Sequence, residues 1–481
     1  MRKKYDLIVV GTSFSSIFFL KKYLETSTKD VKIAILERGI NYPHSSRLKN
    51  KQENVPNPSN VKGAKGTYNS ESSKIWIFDP NFGGSSNCWT GCTPRFMPND
   101  FNLKSKYGKG VDWPINYTDL ENFYTEAEQI MSISGPKITP FPKSTDYPLP
   151  PHQLSSVDKV LQKEYGELYI SQPTARASQR IGSRGQCCSS SVCGLCPVDS
   201  KFTIENSLSY LFEDPRIELL TESQVYQLDL KNDHVASLTY RKDDQDITLE
   251  AEAFILGANA IFNAHILLNS SDSSTHLGKG ISEQAGTFVR MYLDGLDNLG
   301  GSSIITANGF MLYDGEHRKN RAACLIESFN IPFIRNERGK WRQMALFKFI
   351  YEDLPSQENF VGKSDDILKP NIVFQDYSDY LKQGVNHLSE DINKIFSFLP
   401  IERIEMDGYN QPTEFHICGT TRMSDNPETG VVDSNMIHHK YRNLYILGSS
   451  VFPTISPANP TLTIAALSLR AAQNYLSIKP N

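Results

Sequence analysis

Tyr5-Asp-Leu-Ile-Val-Val-Gly-Thr-Ser-Phe-Ser-Ser16 and, shortly after it, Val31-Lys-Ile-Ala-Ile-Leu-Glu37 set the architecture of this chain. Each begins with an apolar, largely β-branched run, the pattern of a strand buried on both faces. Between them, Phe14 to Leu24 carries apolar residues at helical density. Strand, tight turn at Gly11, helix and second strand make a βαβ-type opening, and so predict an α/β fold. A dinucleotide-binding fold places Gly-x-Gly-x-x-Gly at this turn, for the turn itself, for close approach of backbone to pyrophosphate, and for helix–strand packing. Only Gly11 is present. Ser13 and Ser16 hold the other two positions, and a serine hydroxyl can itself bond a phosphate oxygen. Glu37 lies roughly 20 residues beyond the turn, where a carboxylate holds the ribose hydroxyls of an adenosine. Taken alone, the segment is equally compatible with a strand-turn-helix that binds nothing.

At 481 residues the chain is long for one core, which predicts two domains, interleaved along the sequence. The net charge of −4 has no long block of one sign, which argues against nucleic acid, whose binding rests on clustered Lys and Arg. No apolar run approaches the ~20 residues that span a bilayer. Arg2, Lys3 and Lys4 precede an apolar stretch as in a secretion signal. Asp6 interrupts that stretch, Lys21 and Lys22 close it, and no small-residue cleavage pattern follows, so a first strand and a cytoplasmic location are expected. Eight cysteines in so long a chain do not make a disulfide scaffold.

Residues 41–74 are polar and without period, which predicts a mobile segment or a lid. Residues 81–95 form a glycine-punctuated turn region. Trp113-Pro-Ile leads into an amphipathic helix through Ile130, with Thr118 as N-cap and Glu121 three residues on. Residues 217–240 alternate like paired strands. Ala253-Phe-Ile-Leu-Gly257 reads as a buried strand followed by a helix from Ala258 to Asn269. Between residues 295 and 399, Ala345–Ile350 reads as a strand and Ser389–Phe398 as an amphipathic helix. There is no internal repeat.

The last fifth reads His416-Ile-Cys-Gly-Thr-Thr-Arg-Met423, Asn443-Leu-Tyr-Ile-Leu-Gly448 and Asn459-Pro-Thr-Leu-Thr-Ile464. It offers a candidate proton acceptor, a buried strand, and a helix start with an amide beside it. Asn is a favoured N-cap and Pro a favoured first helical residue, so Asn459-Pro460 opens a helix expected to run to about Tyr475. His438 and His439 lie in a polar turn and are expected at the surface.

The turn at residues 83–95, Trp113-Pro-Ile with Tyr117 and Asp119-Leu-Glu121, and the whole C-terminal segment occur together and in order. That combination resembles the glucose–methanol–choline (GMC) family of FAD-dependent oxidoreductases, and its glycine turn is most similar to that of the pyranose 2-oxidases and related sugar oxidoreductases. The resemblance implies a Rossmann-like FAD-binding domain from residues 1–135, 186–290 and 413–481, with an inserted sheet-plus-helix substrate-binding domain from 136–185 and 291–412. It implies flavin contacts from Gly11, Ser13, Phe14, Ser15 and Ser16, from Glu37 and Arg38, and from Gly84, Ser85, Asn87, Cys88, Trp89 and Thr90. Val225 would meet the adenine through its backbone, Ala258 and Gly448 would flank the dinucleotide, and Pro460, Thr461 and Leu462 would bring a helix start to the flavin. Sugar oxidoreductases of this kind commonly carry, just before the Trp, a His covalently linked to flavin. Cys88 occupies that position here, so a histidyl link cannot form and a non-covalent flavin is expected, with a thioether from Cys88 as the less favoured option. Further departures are Gly257-Ala-Asn-Ala260 in place of Ala-Gly-Ala, and Ser424 in place of the glycine after Arg422-Met423.

In the family reading His416 is the base that takes the hydroxyl proton while a hydride leaves for flavin N5. Asn459 then donates a hydrogen bond to the substrate oxygen. The expected activity is oxidation of a secondary alcohol, a sugar or glycoside hydroxyl, with oxygen, a quinone or a redox protein as electron acceptor. A lyase or isomerase on the same fold, or a cofactor-free binding protein, are the competing readings. Cys187, Cys188, Cys193 and Cys196 have spacing that raises a zinc or iron–sulfur site, but they match no standard ligand set, and free or disulfide-linked cysteines are expected with no metal.

Overall fold

A computed structural model describes residues 4–27, 30–55, 64, 66–331, 334–408 and 413–478. Its first sheet is seven-stranded. Lys4–Val10 lies at the centre, parallel to Ile33–Leu36 on one side and to the end of Gln245–Leu256 on the other. Ile217–Leu220 adds in parallel beyond Ile33–Leu36, and Leu444–Ile446 pairs in parallel with Phe254–Leu256. The helix Phe14–Thr26 packs on this sheet beside the last helix, Thr461–Ile478. Phe19, Tyr23, Tyr445 and Tyr475 interlock there with ring centroids 5.3 to 6.4 Å apart. Aromatic burial of this kind joins the N- and C-terminal stretches into one layer.

The α/β class read from the opening strands is the one observed, with local differences. Gln224–Lys231 and His234–Lys242 form a hairpin, but Ile217–Leu220 pairs with Ile33–Leu36 instead of with them. The strand ending at Leu256 begins at Gln245, eight residues earlier than the apolar run suggests. Its first half, with one face open to solvent, pairs antiparallel with His234–Lys242; only Ala253–Leu256 is buried on both faces. The helix Glu121–Met131 is entered through a 3-10 turn, Tyr117–Asp119, whose cap is Asn116 and not Thr118. Asn116 Oδ1 accepts from the Thr118 and Asp119 N–H groups, and Asp119 accepts from the Asn116 N–H in return. The helix expected at Ser389–Phe398 is found as Leu388–Ile395, and a second short helix not read from the sequence, Asp379–Asn386, precedes it. The polar stretch 41–74 contains the helix His44–Gln52 and a short strand, Asn69–Ser70; its residues 56–63 and 65 lie outside the described residues, as do Arg2 and Lys3.

A second sheet is six-stranded, in the order Ile401–Met406, Ala285–Leu293, Met344–Tyr351, Cys324–Phe329, Ile305–Gly309, Tyr169–Ser171, and antiparallel throughout. Successive side chains on a strand point to opposite faces. Val289, Phe347 and Phe349 therefore pack into a core with Leu381, Ile392 and Phe396 of the two short helices. Phe288, Lys348 and Ile350, their sequence neighbours, face a cavity between the two sheets.

Candidate active site

The cavity has a volume of about 550 Å³, within the range that encloses a small organic ligand. Its first end is built on the parallel sheet. Gly11 has φ +93°, and a Cβ there would lie 2.7 Å from the Gly257 carbonyl, so only glycine lets the two strand ends approach this closely. Glu37 is buried, accepting from Thr12 Oγ1 at 2.6 Å and from the Gly39 N–H at 3.0 Å. Burial raises its carboxyl above the usual range despite those bonds. Arg38 lies 4.6 Å from the Phe262 ring and has Nη1 buried without a partner. Burial pulls its guanidinium down to about 10.

Of the expected contacts, Ser13, Phe14, Ser15, Gly84, Ser85, Cys88, Trp89, Thr90, Val225, Ala258, Gly448, Pro460 and Thr461 line the cavity, as do Gly11, Glu37 and Arg38. Ser16, Asn87 and Leu462 do not. Ser16 Oγ donates to the Val10 carbonyl at 3.0 Å, tying helix to strand where the third glycine would have allowed close packing. Asn87 Nδ2 donates to Asp79 and to the Phe82 carbonyl, so it braces the glycine turn from behind. Leu462 is fully buried in the core beneath the helix start. Cys88 is held 3.7 Å from the Ser85 carbonyl, and burial pushes its thiol up to about 11. It is therefore a thiol at neutral pH and a poor nucleophile.

His416 and Asn459 meet at the far end, against the six-stranded sheet. Two consecutive residues, neither in a motif, hold His416. Glu283 Oε1 accepts from the His416 N–H at 2.9 Å and from Thr413 Oγ1 at 2.7 Å, while its other oxygen is paired with Lys74. Gln284 Oε1 bonds the ring at Nδ1. Gln284 Nε2 faces two carbonyls, those of Ser456 and Ala458, the latter at 3.0 Å. An amide nitrogen facing two acceptors fixes which end of the side chain is oxygen. His416 must then donate from Nδ1, leaving Nε2 as the lone-pair nitrogen. No other described residue bonds Nε2. Burial and the charge of Lys348 push the imidazole down to about 3, so the ring is neutral at physiological pH.

Asn459 is buried, with Oδ1 unpartnered. Its side chain therefore caps no backbone N–H of the helix that starts at Thr461, and it faces the buried Glu327 carboxyl on the sheet. The loop before it is pinned from several sides. Trp113 Nε1 donates to Thr454 Oγ1 at 2.9 Å, and Ser456 Oγ donates to Asp100 at 3.0 Å. Asp100 also accepts from Tyr313 at 2.8 Å and pairs with Arg318, which pairs in turn with Glu352. His438 is buried, contrary to the surface position expected from its polar turn. Asp272 accepts from its Nε2 at 2.7 Å, and its Nδ1 accepts from the Lys440 and Tyr441 N–H groups, so every polar ring atom is satisfied internally.

Among the described residues no three His, Cys, Asp or Glu side chains are grouped to hold a metal ion. Cys187, Cys188, Cys193 and Cys196 are free thiols; Cys196 Sγ accepts from the Ser200 N–H. Lys201, buried nearby, donates to the carbonyls of Asn87, Trp89 and Gly194, and so staples the glycine turn to the cysteine loop. Among the described residues no helix is long and apolar enough to cross a membrane.

Residues 383–468 match the family model described as GMC oxidoreductase. The chain is 27% identical over 444 residues to the fructose dehydrogenase large subunit of Gluconobacter japonicus, covering 82% of this chain and 80% of that one. It is 26% identical over 437 residues to 6'''-hydroxyparomomycin C oxidase of Streptomyces lividus, covering 82% and 79%. Among solved structures, pyridoxine 4-oxidase from Mesorbium loti superposes with a TM-score of 0.66 at 15% identity, over 98% of this chain and 99% of that one.

Proposed function

The chain belongs to the GMC oxidoreductases, a family that binds FAD, and from that premise we propose that it oxidises a secondary alcohol, a sugar or glycoside hydroxyl, to a ketone. One observation carries the proposal: a single cavity is lined at one end by Gly11, Glu37 and Arg38 and at the other by His416 and Asn459. The residues present fit FAD. The close approach of Gly11 to Gly257 leaves bare backbone for a pyrophosphate, and Glu37 stands where ribose hydroxyls need an acceptor. The unpartnered Nη1 of Arg38 and Oδ1 of Asn459 are buried polar atoms at opposite ends, of the kind a bound group satisfies. The thiol state of Cys88 supports a non-covalent flavin.

FAD, when bound, supplies the acceptor for the hydride that leaves the carbinol carbon. His416 Nε2 takes the hydroxyl proton; Gln284 keeps Nδ1 protonated, so that the correct nitrogen is bare. The Asn459 amide nitrogen, on the cavity wall, donates to the substrate oxygen as negative charge develops there. The six-stranded sheet contributes Phe288, Ile305 and Phe329 to the apolar part of the cavity wall. The names of the relatives, which include a fructose dehydrogenase and a 6'''-hydroxyparomomycin C oxidase, support a sugar or glycoside as substrate.

The test is spectroscopic. Purified protein, loaded with FAD where needed, is expected to show flavin absorption and to bleach anaerobically with a member of a sugar panel. Reoxidation by oxygen, by a quinone and by an artificial dye then identifies the acceptor. A protein that remains colourless with added FAD, or a flavoprotein that no alcohol bleaches, refutes the proposal.

A further inference from the structure

On the cavity face of the six-stranded sheet, Phe288, Lys348 and Glu327 form one transverse row. Lys348 stands directly opposite Phe288 on one neighbouring strand and opposite Glu327 on the other, so the three side chains share a face. All three line the cavity, beside Asn459 and His416. Glu327 is buried; it accepts from Gln172 Nε2 at 3.3 Å and faces the Asn459 side chain. Lys348 Nζ lies 5.0 Å from the Phe288 ring centroid and donates to Glu414 Oε2 at 2.5 Å. Gly286 makes room for that pair, since a Cβ there would fall 2.1 Å from Glu414 Oε1 and 2.5 Å from Lys348 Cε. An ammonium has three donors, and the Glu414 bond uses one.

We propose that Glu327 and Lys348 bind a second hydroxyl, on the carbon adjacent to the one oxidised, so that the site selects neutral vicinal diols over simple alcohols. The inference rests on the assignment of His416 and Asn459 to the reacting hydroxyl. Asn459 and Glu327 line the cavity side by side and interact, so a substrate group bonded to Glu327 lies next to the one that faces Asn459. A substrate group lying between a carboxylate acceptor and an ammonium donor must both donate and accept, and a hydroxyl does both. A substrate ammonium would meet Lys348, and a substrate carboxylate would meet Glu327 and Glu414. The flanking Phe288 and Phe329, with ring centroids 5.2 Å apart, offer an apolar wall for the C–H face of a ring. A monohydric alcohol excludes water from Glu327 and Lys348 without replacing the hydrogen bonds lost, the situation in which polar sites discriminate most strongly.

The experiment compares trans-1,2-cyclohexanediol with cyclohexanol, measuring Kd by calorimetry on FAD-loaded protein kept reduced with dithionite so that no turnover occurs. The diol is expected to bind at least ~10-fold tighter. Glu327→Gln, and the double variant Lys348→Met/Glu414→Gln, are each expected to bring the two ligands within about twofold of each other. The double change removes the buried charge pair together, so neither ion is left unpaired, and Glu327→Gln conserves shape. Equal binding of the two alcohols by the unaltered protein overturns the inference, as does a preference that survives both variants. A diol preference without flavin bleaching, once the flavin is reoxidised, overturns the proposed oxidation and leaves this binding assignment standing.

Discussion

At the scale of single residues, the proposed chemistry turns on which nitrogen of His416 is bare. Gln284 decides it through the carbonyls of Ser456 and Ala458, and the environment keeps the ring neutral. His416→Ala is expected to retain FAD and to slow flavin reduction by substrate by a factor of ~10² or more. Stopped-flow measurement under anaerobic conditions checks this, and an unchanged rate removes His416 from the mechanism. The pH profile follows from the same shift. A base works in its neutral form; an ordinary histidine would lose that form as pH falls through about 6.5, whereas His416 keeps it down to about 3. Flavin reduction is therefore expected to show no histidine-type loss between pH 7 and pH 5. A tenfold fall centred near 6.5 would contradict the assigned environment.

At the scale of elements, the proposed nucleotide end depends on a turn docking against a helix start. Gly84 has φ +50°, and a Cβ there would sit 2.6 Å from Ser13 Cβ. Gly84→Val meets both the backbone penalty and the clash, each of order 1–3 kcal/mol, and must displace the turn from the helix Phe14–Thr26. FAD affinity is expected to fall at least ~10-fold with far-UV circular dichroism unchanged. Fluorescence titration of apoprotein reads this directly, and an unaltered Kd would place the turn away from the cofactor. The opening βαβ unit was legible because its strands are buried on both faces and so read as unbroken apolar runs. The start of Gln245–Leu256 was not, because its first half has a solvent face and its alternation merges with the preceding hairpin. The Asn116 cap was missed for a similar reason: Thr118 is also a good capping residue, and only the backbone conformation of the 3-10 turn selects between them.

At the scale of the whole molecule, the loop carrying Asn459 is clamped by buried charges drawn from distant parts of the chain. Asp100 receives Ser456 and Tyr313 and faces Arg318, which is itself shared with Glu352. Asp100→Asn leaves Arg318 with one fewer counter-charge in a buried site, a loss of about 3 kcal/mol. The variant is expected to melt at a lower temperature and, because Ser456 also holds Gln284, to reduce its flavin more slowly. A melting temperature unchanged by calorimetry would show that the cluster does not bear on stability.

Local pattern determined the α/β opening and the strand read at Ala345–Ile350, which runs from Met344 to Tyr351, while the family resemblance singled out His416 and Asn459. The strands are announced by near neighbours in sequence, as apolar runs, the first of them closed by a glycine, and the last helix by an amide before a helix-starting proline. Tertiary structure alone decided the rest. Glu283 and Gln284 lie 132 residues or more from the His416 they hold. Glu327 and Lys348 become a pair only through antiparallel register, and His438 is internal because Asp272 reaches it across the fold. The physical reason is that hydrogen bonds and ion pairs at a buried site are satisfied by whatever the fold brings near, and nothing in the spacing of such residues along the chain records the encounter.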